Sequence, residues 1–278
     1  MRIQCIAALL AVILLALPGV ILAQSPRAEV ASAWKDNPWV DKIKKRGVLK
    51  VGFDTFVPWA MKNKKGDYVG FEIEVAQALA YDLGVAAEFV PTAWEGIIPA
   101  LLTAKFDVII GGLGITEERR QKVAFTDPYE FSGIGIAASL ISAPGLSSLE
   151  DFNKKNIVVA VKGGTTAAIA AKDILPEATI QAFDTEGQTS QELMSGRAQA
   201  LMAGAPFPAD LAARNPDRIY VPISGTLTKE PIGMALHPRE AEALPALNAW
   251  IKSRQAGGWL SDRWSYWFET LDWEPEVR

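Results

Sequence analysis

The alternation of short apolar runs with helical apolar stripes restricts the fold of this chain more than any other feature. The run 48–52 predicts a strand, residues 71–83 carry apolar side chains every four positions as on one helix face, and 85–90 predicts a second strand. A helical stripe at 94–102 and an apolar strand at 107–110 follow. Strand, helix, strand, helix, strand is typical of an α/β domain with a parallel sheet.

A second series of the same elements follows further along the chain. The predicted strands lie at 157–161, 178–183 and 198–202. Helices are predicted over 188–195 and 206–214, and the carboxyl-terminal segment 238–278 is also predicted to be helical. Two such units predict two lobes with a cleft between them. In open α/β sheets ligands bind beyond the carboxyl ends of the strands, so the residues after each strand are the candidates for function.

Two local predictions concern segments beside this pattern. Residues 24–45 are polar, and we expect them to be irregular, with Trp34 and Trp39 as anchors in the core. Thr92 and Glu95 have the spacing of a capping box, which predicts that a helix begins there.

The first segment has the features of a secretory signal. Arg2 precedes an apolar stretch at 6–17, which is followed by Pro18 and Gly19 and by the small residue Ala23. We predict a signal peptide at 1–23, cleaved after Ala23, and an exported mature chain. An uncleaved membrane anchor is the alternative, which the Pro-Gly pair disfavours.

Composition excludes several classes of function. The chain has one cysteine, Cys5, and one histidine, His237, so no intramolecular disulfide, cysteine zinc site or triad resting on another histidine is possible. Its net charge is −4, and the run 42–46 is its one short basic block. We therefore predict no nucleic-acid partner, no metal and no cofactor.

Side chains that suit a small anionic or zwitterionic ligand follow the predicted strands. Phe56 follows the first, Trp94 the second, and the glycine-rich run 111–114 with Arg119 the third. Arginine grips a carboxylate with two parallel hydrogen bonds, glycine-rich turns expose amides, and aromatic rings stack on flat or cationic groups. Each also has an ordinary interpretation, since the arginine can form a surface ion pair, the tryptophan can be core, and the glycines can merely permit turns.

The order of these residues resembles a known family. The matching segments are Gly47–Gly52, Asp54–Pro58, Gly70–Glu74, Trp94–Leu101, Thr116–Arg119, Phe125–Tyr129, Val158–Thr165 and Trp267–Phe268. They resemble the periplasmic polar-amino-acid-binding proteins of ABC importers (solute-binding protein family 3), and glutamine-binding proteins in particular. The resemblance covers about 45–270, nearly all of the predicted mature chain.

The resemblance implies an α/β chain with the two-lobe periplasmic binding protein type II fold and two hinge crossovers, near Tyr129–Gly133 and Lys229–Gly233. Lobe 1 would comprise 45–131 plus 232–278, and lobe 2 would comprise 132–231. The implied function is periplasmic capture of an amino acid, or of a carboxylate derived from one, for delivery to an ABC transporter permease. We expect a monomer without catalytic residues.

The resemblance also implies the ligand contacts. Arg119 would clamp the α-carboxylate, with main-chain groups of Gly112 and Gly114 beside it, and Phe56 and Trp94 match the family's aromatic wall. The remaining implied contacts are Asp54 from the first lobe and Lys162, Thr165 and Thr166 from the second.

Two positions depart from the family pattern. Gly114 stands where the family commonly has Ser or Thr, and Gly204 stands where it has an Asp that pairs with the ligand α-ammonium. An unpaired buried charge costs several kcal/mol, roughly 3–5 where one partner of a buried pair is removed. Either another acid substitutes, with Asp54, Glu72 and Glu186 as candidates, or the ligand lacks a free α-amino group, as in an opine, a betaine or a plain carboxylate.

A cyclohexadienyl or prephenate dehydratase-like enzyme on the same scaffold is the alternative function. Its chemistry needs a general acid poised by burial, and no motif places a carboxylate at a strand end for that role. A ligand sensor for a membrane partner is a third interpretation.

Overall fold

The computed structural model describes residues 26–277, with side chains from Val30 onward. The predicted signal peptide at 1–23, with Cys5, lies outside the described residues. Within the described range, no helix combines the length and apolar character needed to cross a membrane.

Helices and strands alternate along the described chain. The strands are β1 (Val48–Phe53), β2 (Met61–Lys62), β3 (Tyr68–Val69), β4 (Ala86–Pro91), β5 (Val108–Ile109), β6 (Ala124–Phe125), β7 (Glu130–Ser132), β8 (Ile134–Ser139), β9 (Val158–Lys162), β10 (Thr179–Phe183), β11 (Ala200–Gly204), β12 (Ile219–Tyr220), β13 (Glu230–Ile232) and β14 (Ala235–Leu236). The α-helices are α1 (Pro26–Trp34), α2 (Pro38–Arg46), α3 (Phe71–Leu83), α4 (Ile97–Leu102), α5 (Glu117–Arg120), α6 (Leu149–Phe152), α7 (Thr166–Ile174), α8 (Glu186–Met194), α9 (Phe207–Arg214), α10 (Leu244–Ala256), α11 (Trp259–Ser265) and α12 (Glu274–Val277). Short 3₁₀ segments span Trp94–Gly96 and Pro238–Ala243, and a π-helical turn spans Tyr266–Thr270.

Ten of these strands form two five-stranded sheets, one in each lobe, and β2 pairs with β3 in a separate two-stranded sheet. The first has the order β4-β1-β5-β14-β6, with β1 parallel to both β4 and β5, and β14 antiparallel. The second has the order β10-β9-β11-β8-β12, with β9 parallel to β10 and β11, and β8 antiparallel. The parallel strands of both sheets agree with the strands predicted from the apolar runs.

The chain passes between the two sheets at β7 and returns at β13. These strands pair with each other in antiparallel register, with Glu230 opposite Ser132. The two predicted crossovers at Tyr129–Gly133 and Lys229–Gly233 therefore lie side by side. The exact lobe limits, 45–131 with 232–278 and 132–231, stay a prediction.

Each lobe has its own apolar core. Trp39, Phe71 and Trp250 are buried beneath the first sheet, and Phe152 and Val161 are buried in the second lobe. Complete burial of such side chains is worth about 1.5–3 kcal/mol each, so each lobe carries its own driving force for folding.

The prediction that 24–45 is irregular is wrong, because this segment forms α1 and α2. Asn37 caps α2 by accepting from the Val40 amide, and Gly47 ends it in the left-handed conformation. Trp39, Val40 and Ile43 form its buried face. The apolar stripe is narrow among many charges, which hides the helical period. Trp34 and Trp39 are buried, as predicted for anchors.

The predicted capping box at Thr92 is also wrong. The Thr92 hydroxyl donates to the carbonyl of Val90, and a 3₁₀ turn follows Ala93 without a side-chain cap. Glu95 instead points across the cleft toward the second lobe, where its Oε1 lies 2.3 Å from the point that a Cβ atom on Gly163 would occupy. Contact between the lobes thus takes the side chain away from the helix start.

Candidate functional site

A cavity lies between the lobes, at the carboxyl ends of the parallel strands. All nine residues predicted as ligand contacts line it: Asp54, Phe56, Trp94, Gly112, Gly114, Arg119, Lys162, Thr165 and Thr166. The structure therefore brings both lobes' candidate residues together in one place. That they contact a ligand stays a prediction.

Arg119 is the buried cation at the first lobe's side of this cavity. Thr116 caps the short helix α5 by accepting from the Arg119 amide, which fixes the position of the arginine. Its Nη1 donates to the carbonyl of Gly114 at 2.8 Å, and its Nη2 donates across the cleft to the carbonyl of Gly164 at 3.0 Å. A guanidinium has five N–H donors, so three remain for a ligand. Burial lowers the pKa of Arg119, and the negative charge of Glu230 opposes this shift.

Trp94 lies near both cations of the cavity lining. The Arg119 guanidinium carbon and the Lys162 Nζ each lie 5.8 Å from its ring centre, which is within cation–π range. Its indole N–H donates to the same Gly164 carbonyl at 3.1 Å. The ring also packs against the core residues around Ile97, as the structural interpretation of this tryptophan predicts, while its contact with a ligand stays a prediction.

An ion pair joins the lobes at another part of the cavity. Lys162, at the end of β9, contacts Asp54, which follows β1, with Nζ and Oδ2 2.7 Å apart. The two side chains are 7% and 20% exposed, so solvent screens the pair weakly. The indole N–H of Trp59 adds a longer contact to the carbonyl of Ala205 at 3.4 Å. With these contacts the lobes are closed on each other.

The second lobe presents a tight turn to the cavity. The Thr165 hydroxyl caps α7 by accepting from the Ala168 amide and donates to the Lys162 carbonyl. The Thr166 hydroxyl donates to Glu230 Oε2 at 2.6 Å. The first residue of α7 therefore presents a hydroxyl that is already oriented by a carboxylate.

A buried carboxyl supports the glycine loop from below. The Gly112 amide donates to Glu72 Oε1 at 2.8 Å, and the Tyr129 hydroxyl lies 2.7 Å from Glu72 Oε2. Gly112 has a φ of 68°, which favours glycine. Burial raises the pKa of Glu72 to about 8, against the hydrogen bonds from Tyr129 and Gly112. Glu72 therefore positions the loop and does not line the cavity, whereas Asp54 and Glu186, the other two candidate replacement acids, do.

Glu186 contributes a second perturbed carboxyl, within the cavity lining. It begins helix α8 after β10, and burial raises its pKa to about 6, against the charge of Lys162 and a hydrogen bond from Thr189. Asp54 raises it further. A half-buried acid therefore faces the ion pair that joins the lobes.

Other lining residues escaped the sequence analysis as ligand contacts. Glu230 reaches the cavity from the crossover strand β13, beside Ser132 of β7, while Ile232 and Trp59 add apolar surface. No strand-end pattern marks the crossover residues, so only the β7–β13 pairing could have indicated them. Among the described residues, no cluster of three or more His, Cys, Asp and Glu side chains is arranged to hold a metal ion.

Comparisons with known proteins agree with this geometry. The family described as "Bacterial extracellular solute-binding proteins, family 3" matches residues 49–270. The L-cystine-binding protein TcyJ of Escherichia coli K12 is 28% identical over 91% of this chain and 94% of its own length. The cyclohexadienyl dehydratase of Pseudomonas aeruginosa is 25% identical over 83% of this chain and 86% of its own length.

A solved structure shows the same two-lobe architecture. The crystal structure of "the ancestral amino acid-binding protein AncCDT-1, a precursor of cyclohexadienyl dehydratase" superposes with a TM-score of 0.74 and 42% identity, over 83% of this chain and 99% of that one. The likeness confirms the α/β, two-lobe periplasmic binding protein type II fold.

Proposed function

Since the chain belongs to the bacterial extracellular solute-binding proteins of family 3, we propose that it captures an amino acid, or a carboxylate derived from one, between its lobes and delivers it to an ABC transporter permease. The observation that carries this proposal is the buried guanidinium of Arg119, which keeps three N–H donors free of protein carbonyls at a cleft built by both lobes. A charge-assisted, two-pronged hydrogen bond to a ligand carboxylate is the interaction that such a group makes best.

The proposed mechanism is a shift of population toward the closed form. Contacts from Arg119 and Trp94 to Gly164, and from Lys162 to Asp54, join the lobes directly. A ligand that touches both lobes adds to these contacts only when the lobes are closed, so it favours closure by its differential affinity for that form. In this proposal the closed form is what the permease recognises, and no covalent bond is made or broken.

The same proposal extends to location and assembly. An amino-terminal signal at 1–23 would direct the chain to the periplasm, where it would act as a monomer. The nine predicted contact residues would hold the ligand, with Phe56 and Trp94 against its body, and no metal or cofactor would take part.

A thermal-shift screen tests the proposal. Residues 24–278 are unfolded and refolded to remove bound ligand, then heated with α-amino acids, N-substituted amino acids, betaines and plain carboxylates. A ligand at about a thousand times its dissociation constant stabilises by about 4 kcal/mol, which raises the melting temperature by several degrees. We expect at least one α-amino acid to produce such a shift. A folded chain that responds to none of the four classes would contradict the proposal.

A dehydratase is the second candidate function, and Glu186 is the observation that favours it. A carboxyl with a pKa of about 6 in the cavity lining could act as the general acid that elimination of water requires. The test is incubation with prephenate and arogenate, followed by mass spectrometry. We expect both acids to be recovered unchanged, and formation of their aromatic products would establish the enzyme.

A further inference from the structure

The place of the family's strand-end acid is occupied by an aromatic ring in this chain. A Cβ atom on Gly204 would lie 3.3 Å from Cε1 of Phe56, so a longer side chain there requires the ring to move. Phe56 in turn packs on Phe207, with ring centres 5.7 Å apart. A ligand α-ammonium group bound where the family binds it would therefore lie against the Phe56 ring. No acidic side chain would be present at position 204 to pair with it.

The described part of the cavity lining has three acidic side chains, and two of them lie around Lys162. Asp54 is paired with Lys162 at 2.7 Å. Glu186 follows β10, the edge strand beyond β9, and the charges that shift its pKa are those of Lys162 and Asp54. Both acids are therefore placed to recognise the side chain of a ligand rather than its α-carbon groups.

Glu230, the third acid, lies near Arg119. Its Oε2 is 3.5 Å, and the Nη1 of Arg119 is 3.6 Å, from the point that a Cβ atom on Gly114 would occupy. The Thr166 hydroxyl donates to Oε2 at 2.6 Å and the Thr228 hydroxyl donates to Oε1 at 3.0 Å. A carboxylate can accept about four hydrogen bonds, so these two bonds orient Glu230 and leave capacity for another donor.

The geometry of an α-amino acid selects between these acids. Its carboxylate and its ammonium share one carbon atom, so an acid that holds the ammonium must lie next to the group that holds the carboxylate. With the carboxylate on Arg119, Glu230 satisfies this condition.

Gly114 bears on the same group of side chains. A Cβ atom at 114 would lie 3.1 Å from Thr166 Cγ2, which is a tight approach, and 3.5 Å from Glu230 Oε2, which is an ordinary contact. Glycine at 114 therefore leaves room for Thr166, whose hydroxyl orients Glu230.

We propose that Glu230 holds the ligand α-ammonium in place of the missing strand-end acid, so that the protein takes α-amino acids with a free amino group. This inference rests on the proposed function. It assigns the α-carbon groups to Arg119 and Glu230, and the ligand side chain to the part of the cavity around Lys162.

Paired ligands that differ only in the α-amino group test this assignment. The probes are L-arginine, L-lysine and L-glutamine, each titrated by calorimetry beside the acid that lacks its α-amino group: 5-guanidinopentanoate, 6-aminohexanoate and 4-carbamoylbutyrate. In Glu230→Gln the amide oxygen can still accept from a threonine hydroxyl, but the charge is gone. The preference for the amino acid is the dissociation constant of the analogue divided by that of the amino acid. We expect this ratio to be lower by about 30-fold or more in the variant than in wild type, because the ligand ammonium then faces a neutral group. The affinity for the analogue should change by less than about threefold.

Glu186→Gln is the matched variant, since it removes an acid from the other part of the same cavity. We expect it to change the affinities for the amino acid and its analogue by the same factor. An unchanged preference in a folded Glu230→Gln variant, or loss of the preference in Glu186→Gln instead, would overturn the inference while leaving amino-acid binding intact. A wild-type chain that binds none of the three amino acids would also overturn it, and the wider thermal-shift panel then decides whether the proposed function fails as well.

Discussion

Arg119→Ala is expected to weaken the binding of every carboxylate ligand by at least about 30-fold. The substitution removes the buried cation of the cleft, and truncating one partner of a buried, hydrogen-bonded charge pair costs about 2–5 kcal/mol. The dissociation constant is measured by calorimetry for the ligand that the thermal-shift screen selects. The melting temperature of the ligand-free variant shows whether it folds.

Arg120→Ala is the control for this prediction, since Arg120 belongs to the same short helix but is exposed. We expect its dissociation constant to stay within about twofold of wild type, as is usual for an exposed charge away from the site. Arg119→Lys keeps the charge and loses the planar fork, so its affinity should lie between those of the alanine variant and wild type. A folded Arg119→Ala variant with unchanged affinity would show that the carboxylate is held elsewhere.

We expect the free energy of unfolding of the wild-type chain to fall between pH 5 and pH 8, and we expect Glu72→Gln to remove much of this fall. Burial raises the pKa of Glu72 to about 8 in the folded state, from an ordinary value near 4.5. The folded state therefore binds this proton more tightly than the unfolded state does. Its stabilising contribution is full below the unfolded pKa and is lost as the pH rises through the folded pKa. Since one pKa unit corresponds to about 1.4 kcal/mol, the loss across this window is on the order of 3 kcal/mol.

Urea unfolding at pH 5, 6, 7 and 8 measures this difference. The glutamine amide can accept from the Gly112 amide and donate to the Tyr129 hydroxyl oxygen, so the variant should fold. Burial also raises the pKa values of Glu74, Glu130 and Glu186. These three residues are present in both wild type and Glu72→Gln, so they add the same pH dependence to both unfolding curves. Glu117→Gln, at an exposed position, should follow the wild-type curve. If the free energy of unfolding depends on pH in the same way in wild type and in Glu72→Gln, then Glu72 is ionised in the folded state and the prediction is contradicted.

The sequence was sufficient to predict the two series of strands and helices because their apolar periods are regular. The predicted helix over 71–83 ends at Leu83, where Gly84 adopts the left-handed conformation. Helix α2 was missed because its buried face is narrow within a charged segment. The apparent capping box at Thr92 failed because residue spacing does not reveal that Glu95 extends to the opposite lobe.

Some residues of the candidate site could likewise be predicted from the sequence, and others could not. Residues just after parallel strands, such as Phe56 and Trp94, could be predicted because the topology of an open sheet brings those positions to one edge. Glu230 could not, since it reaches the cavity only through the pairing of two crossover strands that are distant in sequence. The ring of Phe56 over Gly204 is likewise a result of packing that no local pattern indicates.

The most direct test of amino-acid capture is a calorimetric titration of residues 24–278, freed of bound ligand, with each standard L-amino acid. After the titration, the ligand is recovered from the calorimeter sample and identified by mass spectrometry. We expect saturable heat from at least one amino acid, with one molecule bound per chain and recovered unchanged. The absence of saturable heat from every amino acid in a folded sample, or chemical conversion of the bound one, would contradict the account.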